Sequence, residues 1–564
     1  MNDLSWMVPL PVVLPLLGAG LTLTFSHRPR AQQIVTITVL SMVVAIAAAL
    51  LVAADQNGPQ VLWLGGWESP LGIALVADRL ATLMLLVSAV VTLLVLLYSL
   101  GQGMTGDESE TPVSVYHPTF LVLVAGVANA FLAGDLFNLF VAFEMLLFAS
   151  YVLLTLGGTG ARIRAGTIYV VVNILSSSLF LISLAAVYAA TGSLNLAQLA
   201  VRLESTPSDV ALILQLLLLT TFAIKAAVFP LSFWLPDSYP TAPAPVTAVF
   251  AGLLTKVGVY AILRVQTLLF PDSALSDLLL WAALLTMVVG ILGAVAQSDI
   301  KRMLSFTLVS HIGYMIFGIG LASKAGISGA IFYVAHHITI QTALFLVVGL
   351  IERRAGSTHL LRLGGLVRIS PLLALLFFVP AMNLAGIPPM SGFIGKVGLL
   401  QAGLADGGWL AIVLVIGGVL TSLLTLYAIA KTWALAFWRT PEQAHEMARA
   451  LPEMEGGPEH TDQGMVVHRD HVHVAGTAFG RVDLENARRV VDDESPDRDL
   501  YQLLRDGALP SRLPGSMVGP TAVLIGFSLL LTLVAGPLFA FTDRAAEDLM
   551  ERTPYLSSVL GDDS

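Results

Sequence analysis

Two lysines lie inside apolar stretches of this sequence, and their chemistry is the first indication of function. Lys225 and Lys256 each sit near the middle of a segment that is long and apolar enough to enter a bilayer, and a proline-rich turn separates them. A lysine at the centre of a membrane helix costs roughly 2.5–3.5 kcal/mol on insertion scales, so it is expected to face protein or water and to mark an ion path. Two such lysines beside broken backbone predict machinery that moves charge.

A carboxylate and a third lysine lie in similar surroundings. Glu144 sits inside the apolar run 135–154, and Lys396 follows a Pro-Pro pair. Burial disfavours the charged forms of Glu and Lys whereas proximity restores them, so a Glu144–Lys225 pair has two states close in energy, as a proton pump requires. Lys256 and Lys396 have no acidic residue nearby in sequence, and a desolvated lysine can release its proton near neutral pH. The structural alternatives are a tolerated, protonated Glu144 and lysines that snorkel to the interface.

Three histidines add groups that titrate near neutral pH. His311 lies in the segment SHIGYM, while His336 and His337 are adjacent in YVAHHITIQTALFL, so one of the adjacent pair must face the bundle interior. Histidines on neighbouring helices favour a relay role for at least one of them, and a structural role is expected for one of the adjacent pair. Axial ligation of haem is a rival use, but nothing else in the sequence indicates redox chemistry.

The composition places these residues in an integral membrane protein. Of 564 residues, 56% are hydrophobic and 12% charged, and the mean hydropathy is +0.82, whereas soluble proteins carry about 25% charged residues. The net charge is −9 without a basic stripe for nucleic acid. The absence of cysteine excludes disulfides, thiol chemistry and cysteine-ligated iron–sulfur clusters. The first apolar run has no basic residue before it and no clear cleavage site, which predicts a retained helix.

Stretches of about 20 apolar residues predict fourteen membrane-spanning helices. Their starts are predicted near Leu4, Ile34, Arg79, Thr119, Leu136, Gly166, Ala211, Pro243, Ala274, Met303, Gly326, Pro371, Gly408 and Pro520. Positive charge sets the orientation. With the N-terminus outside, the short inner loops hold Arg28, Arg30, Arg162, Arg164, Lys301, Arg302, Arg353, Arg354, Arg362 and Arg368, and the short outer loops hold only Arg79, Arg202, Arg264 and Lys324. Both termini are therefore predicted outside.

Three stretches interrupt the helices. Residues 56–78 alternate apolar positions around two tryptophans, which predicts a short outer hairpin. Residues 439–515 form a polar, acidic inner loop that is too long to be a simple turn. Its segment HRDHVHV, with His468, His471 and His473, is interpreted as part of a solvated insertion rather than a metal site. The tail 542–564 is polar and is predicted to be mobile.

Four long motifs carry a family resemblance. They read GDLFNLFVAFEMLLFASYVLL, KAAVFPLSFWLPDSYPTAPAPVTAVFAGLLTKVGVYAILR, DIKRMLSFTLVSHIGYM and LAGIPPMSGFIGKVGLL, and they occur in this order within about residues 60–440. The sequence resembles the antiporter-like subunits that respiratory complex I shares with the multisubunit Mrp sodium/proton antiporters. Within this family, the motifs are most similar to those of the D-type subunits of the Mrp antiporters.

The resemblance implies an all-α polytopic membrane protein of about fourteen helices, with two inverted five-helix repeats in which helices 7 and 12 are broken. When the motifs are matched one by one, the resemblance implies a proton relay at Glu144, Lys225, Lys256, His311, His337 and Lys396. Where relatives often have a lysine, one turn beyond the eleventh-helix histidine, this sequence has Gln341, which carries no proton charge. The expected division is 1–100, helices 1–3 with the hairpin; 118–267, first repeat; 273–437, second repeat; 438–515, cytoplasmic insertion; 517–541, helix 14; and 542–564, polar tail.

The resemblance therefore predicts that this chain is the proton-translocating subunit of a sodium/proton antiporter in a bacterial cell membrane. It is expected to carry out no covalent chemistry and to hold no cofactor or metal. The expected partners are protons, sodium ions, the lipid bilayer and other membrane subunits of A, B, C, E, F and G types, but no nucleic acid. One alternative is a proton-pumping subunit of complex I or of a membrane-bound hydrogenase. Another is a scaffold whose charges only hold subunits together.

Overall fold

Long apolar helices packed side by side make up most of the part of the chain that a computed structural model describes. The structure describes residues 4–67, 72–102, 113–271, 273–446, 500–505 and 513–561. Within these residues, 13 helices are long and apolar enough to cross a membrane, and two shorter helices, Pro371–Ala385 and Ser391–Asp406, together make a further span. The all-α polytopic fold predicted from the sequence is therefore confirmed.

The elements follow the predicted order. The first half of the chain contains α1 Leu10–Thr24, α2 Pro29–Asn57, β1 Gln60–Trp63, β2 Ala74–Ala77, α3 Arg79–Gln102, α4 Val113–Leu132, α5 Leu136–Thr155, α6 Gly160–Thr191, α7 Leu196–Arg202, α8 Ser208–Ala226, α9 Trp234–Ser238, α10 Ala244–Val249 and α11 Thr255–Arg264. The second half contains α12 Ser276–Ala296, α13 Ile300–Gly320, α14 Lys324–Ala355, α15 Leu366–Ile369, α16 Pro371–Ala385, α17 Ser391–Asp406, α18 Trp409–Trp433, α19 Leu500–Arg505, α20 Gly515–Leu533, α21 Ala535–Glu551 and α22 Thr553–Leu560. Single turns of 3₁₀-helix occur at Ser5–Met7, Leu64–Gly66, Leu203–Ser205, Tyr239–Thr241 and Leu360–Arg362, and π-helical turns at Phe250–Leu254, Val265–Leu269 and Ala434–Trp438.

The two halves of the bundle repeat one another in detail. The third span of each repeat, α6 and α14, is 32 residues long and ends at a glycine in the left-handed region, Gly192 and Gly356. The chain then returns to pair with the residue before the second span, through the bridges Asp135–Asn195 and Asp299–His359. Because each repeat has five spans, an odd number, the second repeat crosses the bundle in the opposite direction to the first.

Both predicted helix breaks are present. The seventh span stops at Ala227, in the left-handed region at φ +58°, and resumes as α9. The twelfth span stops at Gly386, at φ +83°, and resumes as α17. Prolines follow each stop, and since proline lacks an N–H and clashes with the preceding turn, neither helix can continue as a regular α-helix. At each break, the last carbonyls of the first half-helix and the first N–H groups of the second half-helix have no partner within their own helix.

The most deeply buried spans are the eighth, 244–269, and the eleventh, α14, which lie within the bundle over their whole apolar length. By contrast, α6 exposes much of its surface. A helix that is apolar all round belongs in an interior. Ionisable side chains on the eighth and eleventh spans therefore face protein rather than lipid.

The β-hairpin marks one side of the bundle, called here the hairpin side. Strands β1 and β2 pair antiparallel, with Gln60 opposite Ala77 and Trp63 opposite Ala74. Asp78, the residue after β2, accepts from the Ala81 N–H at the start of α3. Its carboxylate also holds Arg264 at 2.6 Å, in a pair that is buried on both sides.

The C-terminal residues differ from the sequence prediction of a mobile polar tail. The last membrane-spanning helix, α20, ends at Leu533, and α21 begins after a bend at Val534, where Pro537 interrupts the helical hydrogen bonding. Beyond the bend, α21 and α22 are helical and pack against the bundle on the hairpin side. The polar residues of α21 form ion pairs with distant helices: Arg544 with Asp55 at 2.8 Å, Asp548 with Arg79 at 2.5 Å, and, at the surface, Glu547 with Lys324 at 3.0 Å.

Candidate functional site: a row of buried ionisable residues

Lys225 lies in the last turn of α8, directly before the break of the seventh span. Only 6% of the residue is exposed. Its ammonium donates to Ser177 Oγ on α6 at 3.0 Å and stands 5.5 Å from the centre of the Phe143 ring. The left-handed Ala227 ends the helix two residues later and so fixes the position of Lys225 at the helix terminus. Ser176 and Thr221 join the same helices by a hydrogen bond at 3.2 Å.

Glu144 is a neighbour of Lys225 but not its direct ion-pair partner. The two side chains interact through space, yet among the described residues no Glu144–Lys225 ion pair occurs within 4.0 Å. Glu144 is half-buried, and its Oε1 is buried without a hydrogen-bond partner. It lies on a face of α5 whose other members are exposed apolar residues at helical spacing: Phe137, Val141, Phe148 and Tyr151. Glu144 thus sits at the edge of the bundle rather than at its centre.

Lys256 is completely buried, and an irregular turn of helix holds it. The π-helical turn Phe250–Leu254 precedes α11, and because its hydrogen bonds do not follow the α pattern, the Ala251 carbonyl is available to a side chain. Lys256 Nζ donates to this oxygen at 2.6 Å. Two residues later, Gly258 packs so closely on the end of α8 that an added Cβ would lie 2.6 Å from the Ala226 nitrogen. The elements that carry Lys225 and Lys256 are therefore in direct contact.

His311 on α13 and His337 on α14 form a buried pair with ring centres 5.1 Å apart. Tyr333 Oη is bonded to His311 Nδ1 at 2.9 Å. The other His311 nitrogen and both His337 nitrogens are buried without a protein partner. The Tyr333 ring also lies 6.2 Å from the His337 ring.

Lys396 lies on α17, just beyond the break of the twelfth span, and is 4% exposed. Its ammonium donates to the carbonyls of Leu384 and Ala385 at 3.2 and 3.1 Å and to Ser422 Oγ at 3.0 Å. These carbonyls end α16, where the helix dipole is negative and a cation is stabilised. The Tyr314 ring lies 5.4 Å from the ammonium, and Tyr314 is itself 5.8 Å from the His311 ring.

Gln341 is buried one turn beyond His337. Its amide nitrogen donates to the Leu304 carbonyl at 2.8 Å, while its Oε1 has no protein partner. The spacing of Tyr333, His337 and Gln341 is four residues at each step, so the three lie on one face of α14.

Of the six residues predicted from the sequence, five are buried in the bundle and Glu144 lies at its edge. Packed helices join Lys225 to Lys256, His311 contacts His337, and Tyr314 lies between His311 and Lys396. Sequence reasoning missed the π-helical turn, the tyrosines and the surroundings of His336. The four-residue spacing on α14 would have indicated Tyr333. Nothing in the sequence indicated the π-helical turn.

A polar cleft of about 470 Å³ opens between the repeats on the side opposite the hairpin. Arg162 and Thr241 line it from the first repeat, and Asp299, Lys301 and Glu352 line it from the second. Lys301 and Glu352 form an ion pair at 2.8 Å. Among the described residues, no cluster of three or more His, Asp or Glu side chains could hold a metal ion; His468, His471 and His473 lie outside them.

Comparison with known proteins gives a consistent result. A family model described as "NADH:quinone oxidoreductase/Mrp antiporter, TM" matches residues 133–424. The chain is 41% identical over 453 residues to the D-type subunit of the Na(+)/H(+) antiporter of Alkalihalophilus pseudofirmus, in an alignment that covers 79% of this chain and 90% of that protein. It is 40% identical over 451 residues to the protein of the same name in Bacillus subtilis, again covering 79% and 90%.

Solved structures share the fold. A chain in the structure of the Mrp complex from Dietzia sp. DQ12-45-1b superposes with a TM-score of 0.82 at 32% identity, over 100% of both chains. A chain of the membrane-bound sulfane sulfur reductase, an archaeal respiratory membrane complex, superposes with a TM-score of 0.79 at 24% identity, over 99% of this chain and 100% of that one. At that identity the second likeness concerns the fold alone.

Proposed function

The chain belongs to the NADH:quinone oxidoreductase/Mrp antiporter family, and from this premise we propose that it is the D-type, proton-translocating subunit of a multisubunit sodium/proton antiporter. Protons move along Glu144, Lys225, Lys256, His337, His311 and Lys396. Proton movement down its gradient is coupled by the whole complex to sodium export. The chain itself makes and breaks no covalent bonds other than those to hydrogen.

The observation that carries this proposal is the succession of three buried lysines and two buried histidines across both repeats. Two unit charges about 10 Å apart repel by about 1.7 kcal/mol at an effective dielectric of about 20, which changes proton affinity more than tenfold. A proton that arrives at one member therefore favours release from the next. Since Lys225 and Lys396 each lie beside a helix break, a small movement of either break changes the partners of its ammonium.

Glu144 fits the edge of this relay. A carboxylate on an apolar membrane face is costly unless a protein partner covers it. The position of Glu144 on the outward face of α5 therefore supports an adjoining membrane subunit there, with a polar group that exchanges protons with this carboxylate. The excess of Lys and Arg in one set of short loops further supports both termini on the outer side of the membrane.

Sodium-dependent proton flux in vesicles that contain the assembled complex tests the proposal. Lys225→Ala and Glu144→Gln are expected to abolish flux while the complex still assembles. Lys324→Ala is the matched control, because Lys324 is an exposed lysine paired with Glu547 on the surface, and it should leave flux unchanged. Normal flux in the Lys225 variant would remove this residue from the mechanism.

Lys225→Arg separates the relay from a scaffold. Arginine keeps the positive charge but does not lose its proton in proteins. The relay requires a loss of flux in this variant, whereas a scaffold role requires normal flux. Mass spectrometry of the co-purifying chains addresses the redox-driven alternative, because flavin or iron–sulfur subunits would replace the small membrane subunits of an antiporter.

A further inference from the structure

His336, which neighbours the predicted relay residue His337, is as deeply buried as that residue. Only 1% of it is exposed. Adjacent residues on a helix point about 100° apart, so two buried neighbours require protein on both faces. Helix α13 covers the His337 side chain, and the residues at the break of the twelfth span cover the His336 side chain.

One ring nitrogen of His336 is held by the start of α17. Its Nδ1 lies 2.9 Å from Ser391 Oγ. Ser391 is in turn hydrogen-bonded to the Asn383 side chain across the break, and Asn383 Oδ1 accepts from the Gly392 N–H at 2.8 Å. A serine hydroxyl both donates and accepts. The bond at Nδ1 is therefore kept in either neutral tautomer and in the imidazolium, so protonation of the ring does not break it.

The other ring nitrogen has no protein partner. His336 Nε2 is buried without a hydrogen bond and lies against Gly392, where an added Cβ would stand 3.0 Å away. A histidine with a purely structural role normally satisfies both nitrogens, because an unpaired buried polar atom is costly. The one open nitrogen of His336 points into a region that a side chain on residue 392 would fill.

The groups around this imidazole are the members of the relay. Lys396 lies five residues beyond Ser391 on the same helix. The Tyr333 ring lies 5.5 Å from the His336 ring and 6.2 Å from the His337 ring, and the His337 ring is 5.1 Å from that of His311. His336 thus lies between the histidine pair and the helix that carries Lys396.

We propose that His336 is a further proton-binding residue of the relay, which takes up and releases a proton at Nε2 while Ser391 holds Nδ1. The inference rests on the proposed function. It adds a second titratable group, beside Lys396, at the helix break of the second repeat. It also places a second proton-carrying side chain on α14, next to His337, whereas Gln341 on the same helix carries no proton charge.

The test is the pH dependence of sodium-dependent proton flux in vesicles that contain the assembled complex. His336→Asn keeps an atom close to Nδ1 for Ser391 but removes Nε2, and His336→Gln keeps the reach of the ring without a titratable group. Both are expected to lower flux at least about tenfold and to change the shape of the pH profile, because one proton-binding step is lost. His27→Asn, a change at an exposed loop histidine, is the control. Its flux and its pH profile should equal those of the unmodified complex.

Ser391→Ala is the second variant, for the case in which the His336 variants do not assemble. It retains the imidazole but removes the partner of Nδ1. Since the hydroxyl binds the charged imidazolium more strongly than the neutral ring, the midpoint of the pH profile should move to lower pH by at least about 0.5 pH unit. A purely structural histidine would change thermal stability without moving this midpoint. An unmoved midpoint, or normal flux and an unchanged profile in the His336 variants, would overturn the proposal while leaving the proposed function intact. Absence of sodium-dependent flux in the unmodified complex would instead overturn the proposed function.

Discussion

At the scale of single residues, the three buried lysines are stabilised in three different ways. Lys225 has a serine hydroxyl, Lys256 has one carbonyl released by a π-helical turn, and Lys396 has two carbonyls at the end of a helix. An ammonium has three donors, so neither Lys225 nor Lys256 is fully hydrogen-bonded by protein. A group held this loosely changes partners at low cost, which suits proton transfer better than a closed ion pair would.

Gly386 controls the surroundings of Lys396. An added Cβ at this glycine would lie 3.2 Å from Lys396 Nζ, and the backbone there has φ +83°. Gly386→Ala is expected to destabilise the protein by about 1–2 kcal/mol through the left-handed backbone alone and to reduce flux by displacing the ammonium. Thermal unfolding in detergent and vesicle flux measure the two effects. The control is Gly407→Ala, at φ +71° with open space around it: equal loss of flux in both variants would contradict a specific effect on Lys396.

Tyr333 orients His311 through its hydroxyl. Tyr333→Phe leaves a buried nitrogen unpaired and is expected to cost about 1–3 kcal/mol. Flux should fall as well, since the imidazole is no longer held. Tyr427→Phe, which alters an exposed tyrosine on α18, should change neither unfolding temperature nor flux. Unchanged unfolding of the Tyr333 variant would show that the hydroxyl contributes little.

At the scale of elements, the contact between the seventh and eighth spans depends on one glycine. Gly258→Ala would place a Cβ 2.6 Å from the Ala226 nitrogen, and overpacking of this kind costs about 1–3 kcal/mol. We expect a lower unfolding temperature and weaker flux because the Lys225 and Lys256 helices separate. Gly526→Ala, at a helical glycine with open space around it, should be neutral or slightly stabilising. Equal behaviour of the two variants would contradict the close packing.

Some of these elements follow from the sequence and others do not. The helix breaks at Ala227 and Gly386 were predictable, because proline clusters after an apolar run prevent a regular helix from continuing. The π-helical turn at Phe250–Leu254 was not, since its residues favour an ordinary helix and the irregularity depends on how the eighth span packs. The same is true of His336, whose burial depends on where α17 begins.

At the scale of the whole molecule, buried and exposed ion pairs on the hairpin side should differ sharply in importance. Asp78→Asn leaves the buried Arg264 without its counter-charge, and loss of one partner of a buried pair costs about 3–5 kcal/mol. Glu547→Gln, which breaks the exposed pair with Lys324, should cost about 0–1 kcal/mol. Unfolding temperatures of the two variants measure the difference, and similar values would show that the Arg264–Asp78 pair is more hydrated than its burial indicates.

The overall layout could be predicted because hydropathy and proline act locally. The docking of α21 could not. Its Arg544, Glu547 and Asp548 are the residue types that usually face water, and their partners lie hundreds of positions away in the chain. No local pattern shows that such charges will be paired, so the end of the sequence suggested a solvated tail.

The ion pairs between α21 and the first helices also affect biosynthesis. Arg79 precedes its partner Asp548 by 469 residues, and Asp55 precedes Arg544 by 489. During translation, the early helices must therefore wait in the membrane until the last segment leaves the ribosome. A chain that terminates early, even after its final membrane crossing, leaves the Asp55–Arg79 ion pair, at 2.8 Å, without Arg544 and Asp548, the residues that extend it into a network of four charges. Cellular proteases that degrade unassembled membrane proteins would then recognise such incomplete copies and remove them before they enter a complex.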